Sequence, residues 1–316
     1  MKRLVFWIGI LNRGIPPFAS VCPWCRHDHM TLRSVSFFCC ALLWGATEVV
    51  AQDVPTLTFE ERLGAYDKSE GLTEPSGLST GHTVPFWTVS DDHPFVLGLD
   101  VKGTVVTVIP LGKGVHDLEG VIEDTARARL LVVSEKKTEI TSIDLNDLSE
   151  ISRYPLSEMG GFSKLLSDFD TNWKKNGLEG ITVAPETGTI YVIKEREPRM
   201  IIAISADLST ILSIEMLGRD AGLISPRKND RKMDISGIAS DPSRDGQWIL
   251  SDTDQAVFFR DLQDGTVYRY PLSWMSESGL QHVSNPEGVA LSADGTELFI
   301  ITDNGKDSAL FRYDIQ

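Results

Sequence analysis

The stretch Asn176-Gly177-Leu178-Glu179-Gly180-Ile181, followed by Ile190 to Glu195, decides how this chain folds, because its pattern recurs four more times. A short polar tetrapeptide ending in glycine occurs as Glu74-Pro75-Ser76-Gly77, Asp117-Leu118-Glu119-Gly120, Gly177-Leu178-Glu179-Gly180, Asp234-Ile235-Ser236-Gly237 and Asn285-Pro286-Glu287-Gly288. Each runs on into an apolar residue: Leu78, Val121, Ile181, Ile238 and Val289. A turn rich in Gly, Pro, Asp or Thr comes next, and then a β-branched or aromatic run that closes on an acid. Those runs are Phe86 to Asp91, Leu130 to Glu135, Ile190 to Glu195, Trp248 to Asp252 and Leu298 to Asp303. From glycine to acid the distance is 14 residues in the first repeat and 15 in the other four. So constant an offset marks a structural repeat.

Third and fourth runs complete most repeats, as in Ile140 to Leu145 with Ile151 to Leu156, and Ile201 to Ile204 with Ile211 to Leu217. Four strands per unit, recurring every ~40 to 60 residues, is the signature of a propeller. The expected fold is therefore an all-β, five-bladed β-propeller with four-stranded antiparallel blades, with six blades as the alternative. A sandwich explains the strands but not the repeat. The last repeat stops after a third strand, Leu310 to Ile315. Thr56 to Leu63, which alternates in the manner of a strand, is predicted to supply the missing fourth and so remove an exposed sheet edge.

The chain divides into a targeting segment, residues 1–51, and a single propeller domain, residues 52–316. Arg33, the apolar run from Val35 to Ala46, and the small residues Val49 and Ala51 form a signal pattern that starts at Met30, the expected true start. Cleavage is predicted after Ala51. The run is short of the roughly 20 residues that a membrane span needs. A periplasmic or secreted protein follows, with inner-membrane anchoring through an uncleaved segment as the alternative. Cys22, Cys25, Cys39 and Cys40 all precede the cleavage point, so the mature chain has no cysteine. A zinc or redox role for Cys22 and Cys25 lacks a second ligand pair and a supporting βαβ pattern.

Residues 1–51 hold five Lys/Arg and two acids, which leaves 25 basic against 43 acidic residues and a net charge of −18 for the rest. Such a surface repels nucleic acid and anionic lipid and favours cations. In a four-stranded blade the start of the innermost strand and the end of the second share one face. One channel mouth should therefore collect Glu119, Glu179 and Glu287 from the inner strands, with Ser76 and Ser236 at the equivalent places. The second strands add Asp91, Glu135, Glu195, Asp252 and Asp303. These carboxylates would raise each other's pKa unless a cation neutralised them. Calcium, which takes about six to eight oxygen ligands in loose geometry and needs neither Cys nor His, is the expected ion; magnesium insists on octahedral geometry.

Three long connections, Ser157 to Asn176, Gly218 to Met233 and Ser273 to Ser284, should emerge on the same face and act as walls or lids. The second is basic, with Arg219, Arg227, Lys228, Arg231 and Lys232. Beside the ring acids, Lys136, Lys194 and Arg196 are the candidate grips for a small anionic ligand. Glu195 and His116, the latter adjacent to Asp117, are the candidate proton-transfer groups. Serine-triad chemistry is set aside for want of a recognisable nucleophile elbow, a serine on a sharp strand-to-helix turn.

The ordered series Pro75-Ser76-Gly77-Leu78, Asp117-Leu118-Glu119-Gly120-Val121, Asn176-Gly177-Leu178-Glu179-Gly180-Ile181, Lys194-Glu195-Arg196-Glu197-Pro198, Asp234-Ile235-Ser236-Gly237 and Pro286-Glu287-Gly288-Val289 resembles the bacterial SdiA-regulated propellers. More loosely, it is similar to proteins with phytase-like esterase domains. The resemblance spans Glu74 to Ile315 and implies a calcium-associated propeller at the cell envelope. Two functions are compatible with it. One is a calcium-binding sensor, scaffold or ligand-binding module, expected as a monomer. The other is a calcium-dependent phosphoesterase or esterase using metal-bound water, of which a lactonase is a variant. The residues supply ligands more plainly than they supply a nucleophile, which favours the binding module.

Overall fold

A computed structural model describes residues 54–165, 176–227 and 232–316. The targeting segment, its cleavage point, the four cysteines and the loop residues Lys228 and Arg231 lie outside them. The described residues fall in the unit Gln52–Gln316.

Strand β1 (Leu57–Gly64) comes first. Blade 1 then runs through β2 (Pro75–Thr80), β3 (Phe86–Ser90), β4 (His93–Leu99) and β5 (Val105–Pro110). Blade 2 comprises β6 (Leu118–Asp124), β7 (Arg129–Ser134), β8 (Glu139–Asp144) and β9 (Ile151–Pro155). Blade 3 comprises β10 (Leu178–Val183), β11 (Ile190–Lys194), β12 (Met200–Ile204) and β13 (Ile211–Met216). In blade 4 the strands are β14 (Gly237–Asp241), β15 (Gly246–Ser251), β16 (Ala256–Asp261) and β17 (Val267–Pro271). A hairpin, β18 (Ser273–Ser276) and β19 (Gly279–His282), precedes blade 5, whose strands are β20 (Pro286–Leu291), β21 (Glu297–Thr302) and β22 (Ala309–Ile315).

Each blade is one antiparallel sheet, and the fifth has the order β1-β22-β21-β20. The five-bladed propeller is thus closed by its N-terminal strand, as the alternation over Thr56 to Leu63 predicts. Leu57 faces Ile315 and Gly64 faces Ala309 across this closure, and the backbones of Thr56 and Gln316 exchange hydrogen bonds at 2.8 and 3.0 Å. The third long connection differs from expectation. Ser273 to Ser284 is mostly the β18–β19 hairpin, in which Trp274 pairs with Gln281 and Met275 with Leu280. Its alternation is only four residues long on each side, too brief to separate a hairpin from a loop. Trp274 packs tilted against Phe59 and edge-on against Phe311, which anchors the hairpin to blade 5.

The core is not one central mass but five layers, one in each seam between blades. Trp87 and Val96 meet Leu118 and Val132 in the first seam. Leu131 and Ile140 meet Leu178 and Val192 in the second. Ile193 and Ile201 meet Ile249 and Phe258 in the third, Trp248 and Phe259 meet Leu298 and Phe311 in the fourth, and Leu97 and Phe86 meet Ile301 and Phe299 in the fifth. Strands covered on both faces become continuous apolar runs, which is why β12 reads Met-Ile-Ile-Ala-Ile and is wholly buried.

Gly77, Gly120, Gly180, Gly237 and Gly288 bring the five inner strands together. A Cβ on Gly120 would lie 3.0 Å from Cα of Gly180, one on Gly180 3.1 Å from Cα of Gly237, and one on Gly288 2.5 Å from the carbonyl carbon of Gly77. Each glycine therefore abuts the next blade's inner strand, and the ring leaves a cavity of only about 10 Å³ between the strands. Gly288→Ala should destabilise the propeller by about 2–3 kcal/mol through backbone overpacking. Gly218→Ala, whose Cβ would meet nothing within 4 Å, should change stability by less than about 0.5 kcal/mol. Urea unfolding of both variants measures the contrast, and equal effects would refute the ring's role.

Candidate metal centre

One backbone pairing, repeated around the ring, delivers the acids to a single mouth. The N–H groups of Asp91, Glu135, Glu195 and Asp303 donate to the carbonyls of Glu74, Asp117, Gly177 and Asn285 at 3.1, 2.9, 3.0 and 3.0 Å. Those carbonyls lie two residues before Ser76, Glu119, Glu179 and Glu287. In blade 4 the N–H of Ser236 donates to the carbonyl of Leu250 at 3.0 Å, which places Asp252 at the same end. The inner strands are also bulged here: pairing jumps from Leu118 to Gly120, from Leu178 to Gly180 and from Pro286 to Gly288. A bulge takes one residue out of the regular alternation and re-aims its side chain. The displaced residue is Glu119, Glu179 or Glu287.

All eight predicted ligands are half-buried, none is fully buried and none is fully exposed. Among the described residues the carboxylate oxygens of Glu135, Glu179 and Glu195 lie within 4.8 Å of one another, and no other such trio forms. Glu135 is held by a hydrogen bond from the N–H of Gly177 at 3.1 Å. A Cβ on Gly177 would sit 2.6 Å from Cγ of Glu135, so only glycine admits this approach. The repeat generates two looser triads of the same kind, Asp91 with Glu119 and Glu135, and Asp252 with Glu287 and Asp303. Glu119 Oε2 accepts from the Ser76 hydroxyl at 2.7 Å, and Asp303 Oδ1 accepts from the N–H of Gly305 at 3.2 Å.

Few cations answer these charges. Of the eight acids, only Glu195 has a Lys or Arg within 4.0 Å among the described residues, through Arg196 Nη1 at 3.0 Å. Desolvation and mutual repulsion act on Asp91, Glu119, Glu179, Asp252 and Glu287. Burial and then the Glu119, Glu195, Glu135 and Glu287 carboxylates hold Glu179 well above the usual carboxylate range. Glu119 is likewise held well above it, by burial first, with Asp91, Glu287 and Glu135 adding to the rise and the Ser76 hydrogen bond opposing it. Burial followed by Asp252, Asp234 and Asp303 raises Glu287 to about 8. Glu195 rises to about 7 through burial, against the pull of Arg196, and Asp252 to about 6 through burial and Asp234. Burial and Asp117 also raise Asp91.

The remaining predicted site residues separate into rim and interior. Lys136 and His116 both contact the carboxylate of Asp117. Burial works against that charge, yet the hydrogen bonds from Lys136 and His116 outweigh it and hold Asp117 below its ordinary value. Arg196 stays at the rim, touching Glu195, Asp234 at 3.7 Å and the Asn176 side chain at 3.1 Å. Lys194 is fully buried, with Nζ donating to the carbonyl of Arg196, so it lies beneath the rim. Burial lowers its pKa to about 8, against the attraction of Glu195, Glu197, Glu179 and Glu135. Asp234 has a larger part than its flanking position suggests. It accepts from Ser251, from the Thr253 amide and from the Thr253 hydroxyl at 3.1 Å each, and it adds negative charge beside Asp252 and Glu287. The signal for it was its alignment with Asp117 and Glu74 in the repeat.

The profile of the family described as SdiA-regulated matches residues 71–304, which takes in every ring position from Ser76 to Asp303. The chain belongs to that family. As an SdiA-regulated propeller it has no match among curated proteins. Solved structures similar to this SdiA-regulated chain include a glutaminyl cyclase from Myxococcus xanthus at 13% identity and a TM-score of 0.52, covering 82% of this chain and 96% of that one. A gluconolactonase from Xanthomonas campestris has 14% identity and a TM-score of 0.51, covering 84% of this chain and 95% of that one. At such identities the likeness is one of fold.

In chelator, the folded state should hold protons that the unfolded state has lost. Glu287 titrates near 8 when folded against an ordinary 4.5, and Glu195 near 7, so the native state binds more protons across that window. Stability should therefore fall as pH rises from about 4.5 to about 8. Thermal melts in EDTA across this range test it. A Tm that rises through the window would contradict the assignment.

Proposed function

We propose that the acidic mouth holds calcium, and that the protein is a calcium-binding propeller of the cell envelope acting as a sensor, scaffold or ligand-binding module. The observation that carries this reading is the Glu135–Glu179–Glu195 trio, set among acids that have almost no cationic partner. The donor set fits: every donor is an oxygen, the ring offers no histidine or cysteine, and the spacing is loose enough for a large hard ion. Glu135, Glu179 and Glu195 would hold it, with Glu119, Glu287, Asp91, Asp252 and Asp303 around them. Burial that penalises the bare carboxylates would be offset by the ion's charge. The envelope location rests on the signal-like segment and on calcium being more available outside the cytosol. Among the described residues no helix is long and apolar enough to cross a membrane.

Calcium should raise the Tm of the protein, because a ligand that binds only the folded state adds about 2.7 kcal/mol at a hundredfold excess over Kd. Glu179→Gln combined with Glu287→Gln should abolish the rise. A Tm indifferent to calcium would refute the metal site.

A catalytic reading is favoured by one further observation: His116 is more than half exposed beside Asp117 and Lys136, and Arg196 lies on the same rim. Calcium would supply polarisation of a phosphoryl or acyl oxygen. His116 or Glu195 would move the proton, and Lys136 and Arg196 would orient an anionic substrate. A screen with aryl phosphates, aryl esters, phytate and lactones decides between the two. The binding reading expects no turnover; calcium-dependent turnover lost in the double variant would replace it with the hydrolase.

A further inference from the structure

The last residue of the second strand stands one place before each ring acid, and around the propeller it is Ser90, Ser134, Lys194, Ser251 and Thr302. All five are buried, at 1% exposure or less. Four of them do modest local work with a hydroxyl. Ser90 donates to Asp92 at 2.8 Å, Ser134 to the carbonyl of His116 at 2.9 Å and Ser251 to Asp234 at 3.1 Å, while Thr302 accepts from the N–H of Ala309 at 3.0 Å. The position itself asks for no charge.

Blade 3 breaks the rule with an ammonium group. Burying a lysine is among the costlier choices a core makes, and it persists where compensating charges face it. Lys194 is the only lysine among the buried described residues. Lys194 pairs with Leu178, the residue before Glu179, and with Met200; its Nζ donates to the carbonyl of Arg196, and the carboxylates that act on it include Glu195, Glu197, Glu179 and Glu135. Three of those four are the trio whose oxygens lie within 4.8 Å. The one buried lysine and the tightest acid cluster therefore share a seam, and the looser triads carry a neutral hydroxyl at the same place.

Alternatives of a simpler kind account for less. A filler role needs an apolar side chain of similar length, not a charge. A backbone cap for Arg196 needs one neutral donor. Arg196 neutralises Glu195 from the solvent side at 3.0 Å, and the buried ammonium acts on Glu195, Glu179 and Glu135 from the interior side.

We propose that Lys194 is a tethered counter-charge for the Glu135–Glu179–Glu195 trio, one that keeps the acids together when the ion leaves and lowers the affinity of the site so that calcium exchanges. This rests on the calcium reading of the same site. Ligand charge count is what tunes calcium affinity over orders of magnitude in oxygen-donor sites. A fixed cation among the ligands lowers that count without removing a donor. Lys194 is thus a positioning and affinity-setting residue; buried beneath the rim, it presents nothing to a substrate.

The test is calcium titration by calorimetry on the full chain and on three variants, with circular dichroism as the check of folding. Lys194→Ser restores the residue type of the sibling blades, Lys194→Met keeps the stem without the charge, and Lys194→Arg keeps the charge. The first two should bind calcium about tenfold more tightly or better, and should melt lower than the parent in EDTA. Lys194→Arg should stay within about threefold of the parent. General structural damage would weaken binding, so tightening is a readout that a merely structural lysine does not give. Variants that fold only with calcium present would also support the proposal. A parent that binds calcium and a folded Lys194→Met that binds it no more tightly would overturn the proposal and leave the calcium reading standing. A parent that does not bind, with a Lys194→Met that does, would overturn the calcium reading for the native chain and keep the counter-charge. Binding in neither would remove both.

Discussion

The close approach of five inner strands is the constraint on which the rest depends. Their backbones meet at a ring of glycines, where a single methyl group would fall 2.5 to 3.1 Å from a neighbouring blade's backbone at Gly288, Gly120 and Gly180. One residue upstream, three of these strands bulge and turn a glutamate out of the regular alternation. The packing that closes the propeller thus also crowds the carboxylates, and the acids cannot move apart without opening the ring.

Crowded carboxylates have three ways to lower their energy: bind protons, receive hydrogen bonds, or meet a cation. This propeller uses each in a different place. Ser76 and the amide of Gly177 donate to Glu119 and Glu135. Lys136 and Arg196 settle the rim acids Asp117 and Glu195. The upward shifts of Glu179, Glu119 and Glu287 show that the interior remains under-compensated, which is the condition a bound cation or an internal ammonium relieves.

The fold tolerates such a centre because its stability is stored elsewhere. Five apolar layers lie in the seams, and the chain ends are locked by β1 on β22, so the channel mouth is not asked to hold the blades together. Frustration concentrated on the axis is then a local property, available to ligand binding, rather than a threat to the whole domain.

Blade number, the closing strand and the meeting of the acids at one mouth were legible in the chain because a repeat is one-dimensional information: a constant offset of 14 or 15 residues survives without coordinates. Other features were not legible for definite reasons. The hairpin at Ser273 to His282 is too short to show a period. Lys194 reads as a rim lysine because its neighbours Glu195 and Arg196 are polar, and only the seam shows it buried. That Glu135, Glu179 and Glu195 form the tight trio, while Asp252, Glu287 and Asp303 do not, also needed the tertiary structure. Identical positions in a repeat predict identical strands, but distances between side chains on different blades depend on how each pair of sheets packs. The amino-acid order determined which residues reach the axis, and the packing of the seams decided which of them touch.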